Sequence, residues 1–303
     1  MNFKQQYNVY LEKIEDKIKE YFSPTDVLQK SVFDAMRYAI CGGGKRIRPV
    51  LTMAAAELCG ANSGDAASVG LAIECIHNYS LIHDDLPCMD NDDLRRGRPT
   101  CHKAFPENIA LLAGDGLLNS AFEILSDVGM FKELGAETIV EITAVLAKAS
   151  GAHGMIGGQT VDLESEKRAD VTLDELIYLH ERKTGALIRA AAVCGCLCAK
   201  NKENAKEISN IISVVDEFSS KLGLAFQIKD DILDIESTEE VLGKPIGSDE
   251  ESGKTTFVTL LGADAAKEYL KKLTDEAKSA ASSLGEKAWF LGELADYLLD
   301  RTY

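Results

Sequence analysis

The chain has 303 residues, of which 46% are hydrophobic, so it can bury a sizeable core. Its formal net charge at pH 7 is -16. This acidic excess argues against nucleic acid or an anionic membrane surface as the main partner, because both favour basic patches. We therefore expect no nucleic-acid partner.

The sequence shows no boundary between domains. No linker rich in Pro, Gly or Ser divides it, and its 6 prolines leave long segments free to be helical, which predicts a single domain over residues 1–303. The N-terminus alternates charged residues and lacks the apolar centre of a signal peptide. We expect no membrane span, because we expect no stretch that is long enough and apolar enough to cross a bilayer. The 8 cysteines lack zinc-ligand and disulfide-scaffold spacings, so we expect reduced thiols and a cytoplasmic protein.

Apolar residues recur every three or four positions along most of the chain, which is the pattern of amphipathic helices. The alternation of apolar and polar residues that is typical of strands is not found in the sequence. The predicted fold class is therefore all-α. The predicted helices cover residues 4–22, 25–40, 50–59, 66–83, 109–128, 136–150, 173–199, 208–235, 263–283 and 287–301.

The first motif with chemical content is a glycine-rich basic segment, Gly-Gly-Gly-Lys-Arg-Ile-Arg-Pro, at residues 42–49. Three glycines permit backbone conformations that other residues resist, and Lys45, Arg46 and Arg48 place cationic donors beside that backbone. The segment is suited to a diphosphate. Taken alone, the segment would favour a solvated basic loop over a diphosphate site.

The predicted helix at residues 66–83 runs directly into Asp84 and Asp85. Pro87 should end or loosen that helix, so Asp90 must return to the other two aspartates by a loop. Arg95 and Arg96 follow, and their planar, permanently charged guanidinium groups suit phosphate oxygens.

A second acidic set lies far downstream at Asp230, Asp231 and Asp234. Positions i and i+4 of a helix share a face, so oxygens of this set could converge on one point. Carboxylates this dense repel one another, and burying them is costly unless a cation neutralises them. Magnesium would do so, since it takes oxygen ligands and commonly bridges carboxylates to substrate phosphates. The alternative is that each acidic set is a solvated helix end.

These motifs, in this order along nearly the whole chain, resemble those of the trans-isoprenyl diphosphate synthase family, and most closely its bacterial-type farnesyl diphosphate synthases. The resemblance implies the isoprenoid synthase fold, which is a bundle of long helices around a central active-site cavity, and a homodimer. The matching segments are residues 42–49, 84–97, 157–164, 183–185, 227–234 and 253–255.

The resemblance also implies roles for single residues. It implies three magnesium ions with substrate bound, and it gives the metal-ligand and catalytic role to Asp84, Asp85, Asp90, Asp230, Asp231 and Asp234. The residues that it implies for isopentenyl diphosphate are Lys45, Arg48, His77 and Arg96. Those implied for the allylic diphosphate are Arg95, Lys183, Lys244 and Lys254, with catalytic oxygen dipoles from Thr184 and Gln227 beside the developing cation. Gln159 and Asp162 are placed near the allylic chain rather than among the metal ligands.

The reaction implied is a head-to-tail condensation of isopentenyl diphosphate with dimethylallyl or geranyl diphosphate. The allylic diphosphate leaves, the double bond of isopentenyl diphosphate attacks the resulting cation, and the released diphosphate takes the final proton. The sequence offers no Ser-His or Cys-His nucleophile arrangement and no redox cofactor motif that would favour another chemistry.

Product length is predicted from Tyr79, which lies five residues before Asp84 and so about 7.5 Å deeper along a helix. Ser80 lies almost beneath Asp84, so Tyr79 must reach sideways to close the pocket. Within the family, a bulky aromatic residue here accompanies the fifteen-carbon product, farnesyl diphosphate. The alternatives are a geranylgeranyl diphosphate synthase, a terpene cyclase, which would need no second cationic site, and a non-catalytic partner subunit, which would have lost aspartates.

Overall fold

The computed structural model describes residues 1–166, 168, 170–236 and 254–300. Long helices dominate these residues, so the prediction of an all-α fold is confirmed. The helices are α1 Phe3–Tyr21, α2 Lys30–Ile40, α3 Ile47–Leu58, α4 Ser63–Asp84, α5 Cys101–Ala104, α6 Glu107–Ser126, α7 Ala136–Ser150, α8 Met155–Ser165, α9 Leu173–His180, α10 Ala186–Leu197, α11 Ala205–Glu236, α12 Phe257–Leu261, α13 Ala263–Ser282 and α14 Trp289–Asp300.

Helix α4 lies at the centre of the bundle. It packs against α1, α2, α3, α6 and α10, and every residue from 65 to 76 is buried. The side chain of Asn62 caps its first backbone amides. The buried carboxylate of Asp65 accepts hydrogen bonds from three backbone amides of residues 132–134. Because neighbours enclose α4 along its length, its last residue, Asp84, is delivered to a fixed position.

Several details differ from the sequence prediction. Helices α5, α8 and α12 lie outside the predicted helices. The helix predicted at residues 173–199 is interrupted, since the π-helical turn Glu181–Gly185 separates α9 from α10. A small hairpin, which was not predicted, pairs β1 (Leu94–Arg95) with β2 (Arg98–Pro99). Arg96 and Gly97 form its turn with φ angles of 54° and 71°, the left-handed pair that two-residue hairpins favour. Strands of two residues are too short to show an alternating pattern.

The buried side chains form two hydrophobic clusters. The larger one runs through α1 to α4, α6, α7 and α10. The smaller one surrounds Phe257, which is fully buried, and includes Leu176, Ile228 and Leu270 from α9, α11 and α13. The single-domain organisation stays a prediction.

Two stretches, Glu107–Ser126 and Ala136–Ser165, are long and apolar enough to cross a membrane by length and composition. The prediction that no stretch would reach this length and hydropathy is therefore wrong. Core helices of soluble proteins pass the same test, and the second stretch is divided into α7 and α8. The two stretches are weak evidence for a span.

Candidate active site

A cavity of about 500 Å³ lies beside the C-terminal end of α4. Its wall is formed largely by α4, α6, α8 and the π-helical turn. Among the predicted site residues, those in the wall are Arg48, His77, Tyr79, Ser80, Asp84, Lys183 and Thr184. Apolar side chains, including Leu118, Met155 and Leu163, complete it. The cavity therefore joins charged groups to an apolar interior.

Asp84 is the last residue of α4 and faces this cavity. Its Oδ1 accepts a hydrogen bond from Nε2 of Gln159 at 2.5 Å, and its Oδ2 lies 3.9 Å from Nζ of Lys183. Burial raises the pKa of Asp84, the charge of Lys183 opposes that shift, and Asp90 adds to it. A bound cation would relieve the cost of keeping this carboxylate ionised.

Asp85 follows α4 and is bonded to Arg95 of the hairpin. Nε and Nη2 of Arg95 donate to Oδ1 of Asp85 at 2.8 and 2.5 Å. Burial raises the pKa of Asp85 to about 6, although Arg95 acts in the opposite direction. Asp85, a predicted metal ligand, and Arg95, a predicted contact of the allylic diphosphate, therefore bind each other in this structure.

Asp90 returns to the end of α4 through a loop, as predicted. Its backbone N–H donates to the carbonyl oxygen of Asp84 at 2.9 Å. Its Oδ1 lies 3.6 Å from Nζ of Lys254, which is therefore brought to the first acidic set from far along the chain. Lys244, the other lysine predicted there, lies outside the described residues.

Lys183 lies in the π-helical turn, close to the backbone of α8. A Cβ atom at Gly158 would overlap the backbone of Lys183, so only glycine allows this approach. Nζ of Lys183 donates to Oδ2 of Asp162 at 2.5 Å. Burial by itself would lower the pKa of Lys183, but Asp84 and Asp162 outweigh it and raise the pKa. The ammonium group therefore stays charged beside Asp84.

The second acidic set lies on α11, where Asp231 and Asp234 are buried and Asp230 is half-buried. A hydrogen-bond chain leads to it from the π-helical turn. The hydroxyl of Thr184 donates to Oε1 of Gln227 at 3.2 Å, and Nε2 of Gln227 donates to Oδ1 of Asp231 at 3.2 Å. The adjacent residues Lys183 and Thr184 therefore connect the two acidic sets.

A separate cationic group lies near His77. Nη1 of Arg48 is 3.3 Å from Nε2 of His77, and Nη1 of Arg96 donates to the carbonyl oxygen of Gly43. Burial lowers the pKa of Arg48 to about 10, which still leaves it charged at pH 7. Burial and the charge of Arg48 hold the pKa of His77 well below its usual value, so its imidazole is neutral. Lys45 is half-buried in the same glycine-rich segment.

Arg46, which the sequence grouped with Lys45 and Arg48 as a cationic donor, points into the core instead. Its side chain is fully buried, and its guanidinium group donates to Glu15 and Glu74 at 2.8 Å each. Its backbone has a φ of 50°, in the left-handed region. This turn of the chain directs Arg46 inward.

Tyr79 and Ser80 both lie in the cavity wall, where the sequence placed the pocket floor. Tyr79 is 5% exposed, and its ring packs edge-on against His83 at a centroid distance of 5.7 Å. Burial raises the pKa of Tyr79 to about 12.

Comparison with known proteins shows the family of the chain. The family model described as polyprenyl synthetase matches residues 29–292. The chain belongs to the polyprenyl synthetase family. It is 41% identical to the farnesyl diphosphate synthase of Escherichia coli (strain K12), over 99% of both chains. It is also 42% identical to the geranylgeranyl diphosphate synthase of Cyanophora paradoxa, over 91% of this chain and 92% of that one.

A similar solved structure contains bound magnesium and isoprenyl diphosphate. The geranyltransferase of Helicobacter pylori, complexed with magnesium and isoprenyl diphosphate, superposes with a TM-score of 0.84 at 34% identity, over 97% of this chain and 95% of that one.

The acidic side chains at the site can be compared with the ligands that Mg²⁺ requires. Within residues 1–166, 168, 170–236 and 254–300, no three His, Cys, Asp or Glu side chains form a group that could hold one ion. The expected convergence of Asp230, Asp231 and Asp234 is therefore not found, and Oδ2 of Asp231 accepts a hydrogen bond from the backbone N–H of Phe257 at 2.8 Å. Mg²⁺ often takes only one or two carboxylates and completes its shell with phosphate and water. The aspartates fit the ion as partial ligands.

Sequence reasoning missed several contacts at the site. It gave no partners to Gln159 and Asp162, which bind Asp84 and Lys183. The sequence signal for these contacts was that Gln159 and Asp162 lie one helical turn apart, directly after Gly157 and Gly158. The packing of His83 against Tyr79 was also not predicted from the sequence.

Proposed function

We propose that the chain is a prenyltransferase that condenses isopentenyl diphosphate with dimethylallyl or geranyl diphosphate to give farnesyl diphosphate. The observation that carries this proposal is one cavity whose wall joins apolar side chains to Asp84 and to two cations, Lys183 and Arg48. A prenyl chain needs the apolar interior, and two diphosphates need two cationic groups.

We propose Mg²⁺ as the cofactor, with three ions when substrate is bound. Asp84, Asp85 and Asp90 would hold it on one side, and Asp230, Asp231 and Asp234 on the other. When bound, magnesium supplies Lewis-acid charge that stabilises the departing diphosphate.

The allylic diphosphate would be held by Lys183, Arg95 and Lys254. In this structure Lys183 is bonded to Asp162 and Arg95 to Asp85, so both cations are kept charged and oriented before a diphosphate arrives. Lys244 is proposed for the same diphosphate. The oxygens of Thr184 and Gln227 would face the positive charge that develops on the allylic carbon.

Isopentenyl diphosphate would be held by Lys45, Arg48, His77 and Arg96. The pKa of Arg48, about 10, keeps this guanidinium cationic at pH 7. The neutral imidazole of His77 contributes a hydrogen bond rather than a charge. We propose no protein base, since the diphosphate released in the first step can take the proton.

The product length follows from the bulk of Tyr79 in the cavity wall. An aromatic ring at this depth leaves room for a fifteen-carbon chain and opposes a longer one. The alternative product is geranylgeranyl diphosphate, which the similarity to the Cyanophora paradoxa enzyme keeps open.

The test is incubation of the purified protein with Mg²⁺, isopentenyl diphosphate and either dimethylallyl or geranyl diphosphate, followed by chromatography of the dephosphorylated products. We expect farnesol as the main product and a shift toward twenty carbons or longer in Tyr79→Ala or Tyr79→Met. Tyr178→Ala, which removes an exposed tyrosine, should leave product length unchanged. A wild-type protein that makes chiefly the twenty-carbon product would favour the alternative.

The same assay separates two other classes. A terpene cyclase would release a cyclic hydrocarbon from the allylic substrate alone, but the cationic group of Arg48 and Arg96 argues for a second diphosphate. A non-catalytic partner subunit would give no product, but all six aspartates are present.

We also propose a homodimer and a cytoplasmic location. Leu111 and Leu112 on α6 and Val140 on α7 are exposed at 45%, 51% and 68%, and a second copy of the chain would cover them. Light scattering should give twice the chain mass, and Leu112→Glu should shift it toward the monomer. Cell fractionation tests the location.

A further inference from the structure

His83 connects α4 to α6 at the level of the cavity wall. It lies one helical turn after Tyr79, and both side chains line the cavity. The planes of the two rings are inclined at 76° and their centroids are 5.7 Å apart. The imidazole therefore packs edge-on against the ring of Tyr79 in the cavity wall.

Helix α6 holds His83 from the other side. Nε2 of His83 lies 3.0 Å from the carbonyl oxygen of Leu111, and 3.9 Å from Oδ1 of Asp115. The imidazole occupies the space above Gly114, where a Cβ atom would overlap its Nε2 and Cδ2 atoms. Gly114 thus provides the notch that receives the imidazole, and any larger residue there would displace the imidazole from this position.

Tyr79 depends on packing for its position. Its hydroxyl group is buried and has no hydrogen-bond partner among the residues that the structure describes. No directional bond within that part of the chain fixes the phenol ring, so contacts such as that with His83 determine where it lies.

We propose that His83 and Gly114 are specificity-determining positioning residues, which set the length of the prenyl chain by holding Tyr79 across the cavity. This inference rests on the proposed function. His83, seated in the notch at Gly114, keeps the phenol ring in the path of the growing chain. Loss of either residue lets the ring move, and the cavity then accepts a further five-carbon unit.

The test compares the product ratios of His83→Ala and Gly114→Ala with the wild type, using geranyl diphosphate, isopentenyl diphosphate and Mg²⁺. We expect the ratio of twenty-carbon to fifteen-carbon product to rise at least about tenfold in each, a size typical of discrimination in apolar pockets. Gly116→Ala is the matched control on the same helix. Its methyl group would meet the flexible end of Met36, away from the cavity wall, and its product ratio should stay at the wild-type value.

A double substitution shows whether His83 acts through Tyr79. Adding His83→Ala to Tyr79→Ala should change the product ratio less than twofold, because the ring that His83 holds is already gone. A tenfold additional rise would contradict the proposal. If Gly114→Ala does not fold, His83→Ala carries the test.

The outcomes also separate this inference from the proposed function. A wild-type protein that forms no prenyl diphosphate would overturn both. A wild type that makes the fifteen-carbon product and shifts in Tyr79→Ala, but not in His83→Ala, would overturn the positioning role alone.

Discussion

At the end of α4, Asp84 and Asp85 are bonded to the side chains of Gln159 and Arg95. On α11, by contrast, Asp231 accepts a hydrogen bond from the backbone N–H of Phe257, at the start of α12. The first two carboxylates lie at a helix end, whereas Asp231 lies within a helix of 32 residues.

The difference has a mechanical consequence. Side-chain partners can rotate away when a diphosphate arrives, whereas the amide of Phe257 can leave Asp231 only if α12 moves. We therefore expect the first acidic set to exchange partners during turnover. Asp231 ties α12 to α11 and thereby keeps Lys254, three residues before Phe257, close to Asp90.

The largest expected effect is the loss of activity when either acidic set is altered. Asp84→Ala and Asp230→Ala should each lower kcat at least about 100-fold, since metal charge stabilisation contributes several kcal/mol, and both variants should stay folded. Steady-state kinetics at matched magnesium, with circular dichroism for the fold, measures this. Asp275→Ala, at an exposed position of α13, is the control, and wild-type turnover in either active-site variant would reject the paired arrangement.

The two cationic groups should differ in the substrate that each of them binds. Lys183→Ala should weaken the allylic diphosphate and Arg96→Ala isopentenyl diphosphate, each by about 1.5–3 kcal/mol, or roughly 10–150-fold in KM. Separate Michaelis constants for the two substrates decide the assignment. Lys272→Ala removes an exposed lysine of α13 and should alter neither constant, while equal effects of Lys183→Ala on both substrates would contradict it.

The packing around Phe257, whose backbone N–H binds Asp231, should become less stable at acid pH. His180 packs against Phe257, and burial lowers its pKa to about 4. In the unfolded chain His180 takes up a proton near pH 6.5, whereas in the folded chain it does so only near pH 4. The contribution of His180 to the free energy of unfolding is therefore complete above pH 6.5 and is lost as pH falls toward 4.

Urea unfolding at pH 7.5 and pH 5.0 measures this effect. Between the two values the wild type should lose about 2 kcal/mol more than His180→Phe. His153→Phe, at an exposed histidine, should behave as the wild type does. An identical loss in wild type and His180→Phe would show that His180 does not carry the pH dependence.

The smallest expected effect concerns Gln159, the side-chain partner of Asp84 that we expect to be exchanged during turnover. Gln159→Ala removes one hydrogen bond to that carboxylate and should cost about 0.5–1.5 kcal/mol, or roughly two- to tenfold in kcat/KM. Gln159→Glu, which places a like charge beside Asp84, should cost more. If Gln159→Ala lowers activity as far as Asp84→Ala does, the contact is not exchangeable.

Much of the fold could be predicted from local sequence. The helix predicted at residues 136–150 has the bounds Ala136–Ser150 in the structure, and the two acidic sets were placed correctly at a helix end and within a helix. Helical periodicity is a local property of the chain, so sequence alone carries it. The interruption at Glu181–Gly185 is different, because the backbone of α8 meets it at Gly158, and that approach is a tertiary contact.

Arg46 and Arg48 illustrate the limit of sequence reasoning. Both belong to one basic motif, so the sequence treats them alike, but Glu15 and Glu74 draw Arg46 into the core while Arg48 reaches the cavity. The position of Tyr79 before Asp84 was likewise readable from the sequence, because helical rise fixes its depth. The notch at Gly114 was not, since it exists only where α6 crosses α4, and the crossing of two helices depends on residues distant in the chain.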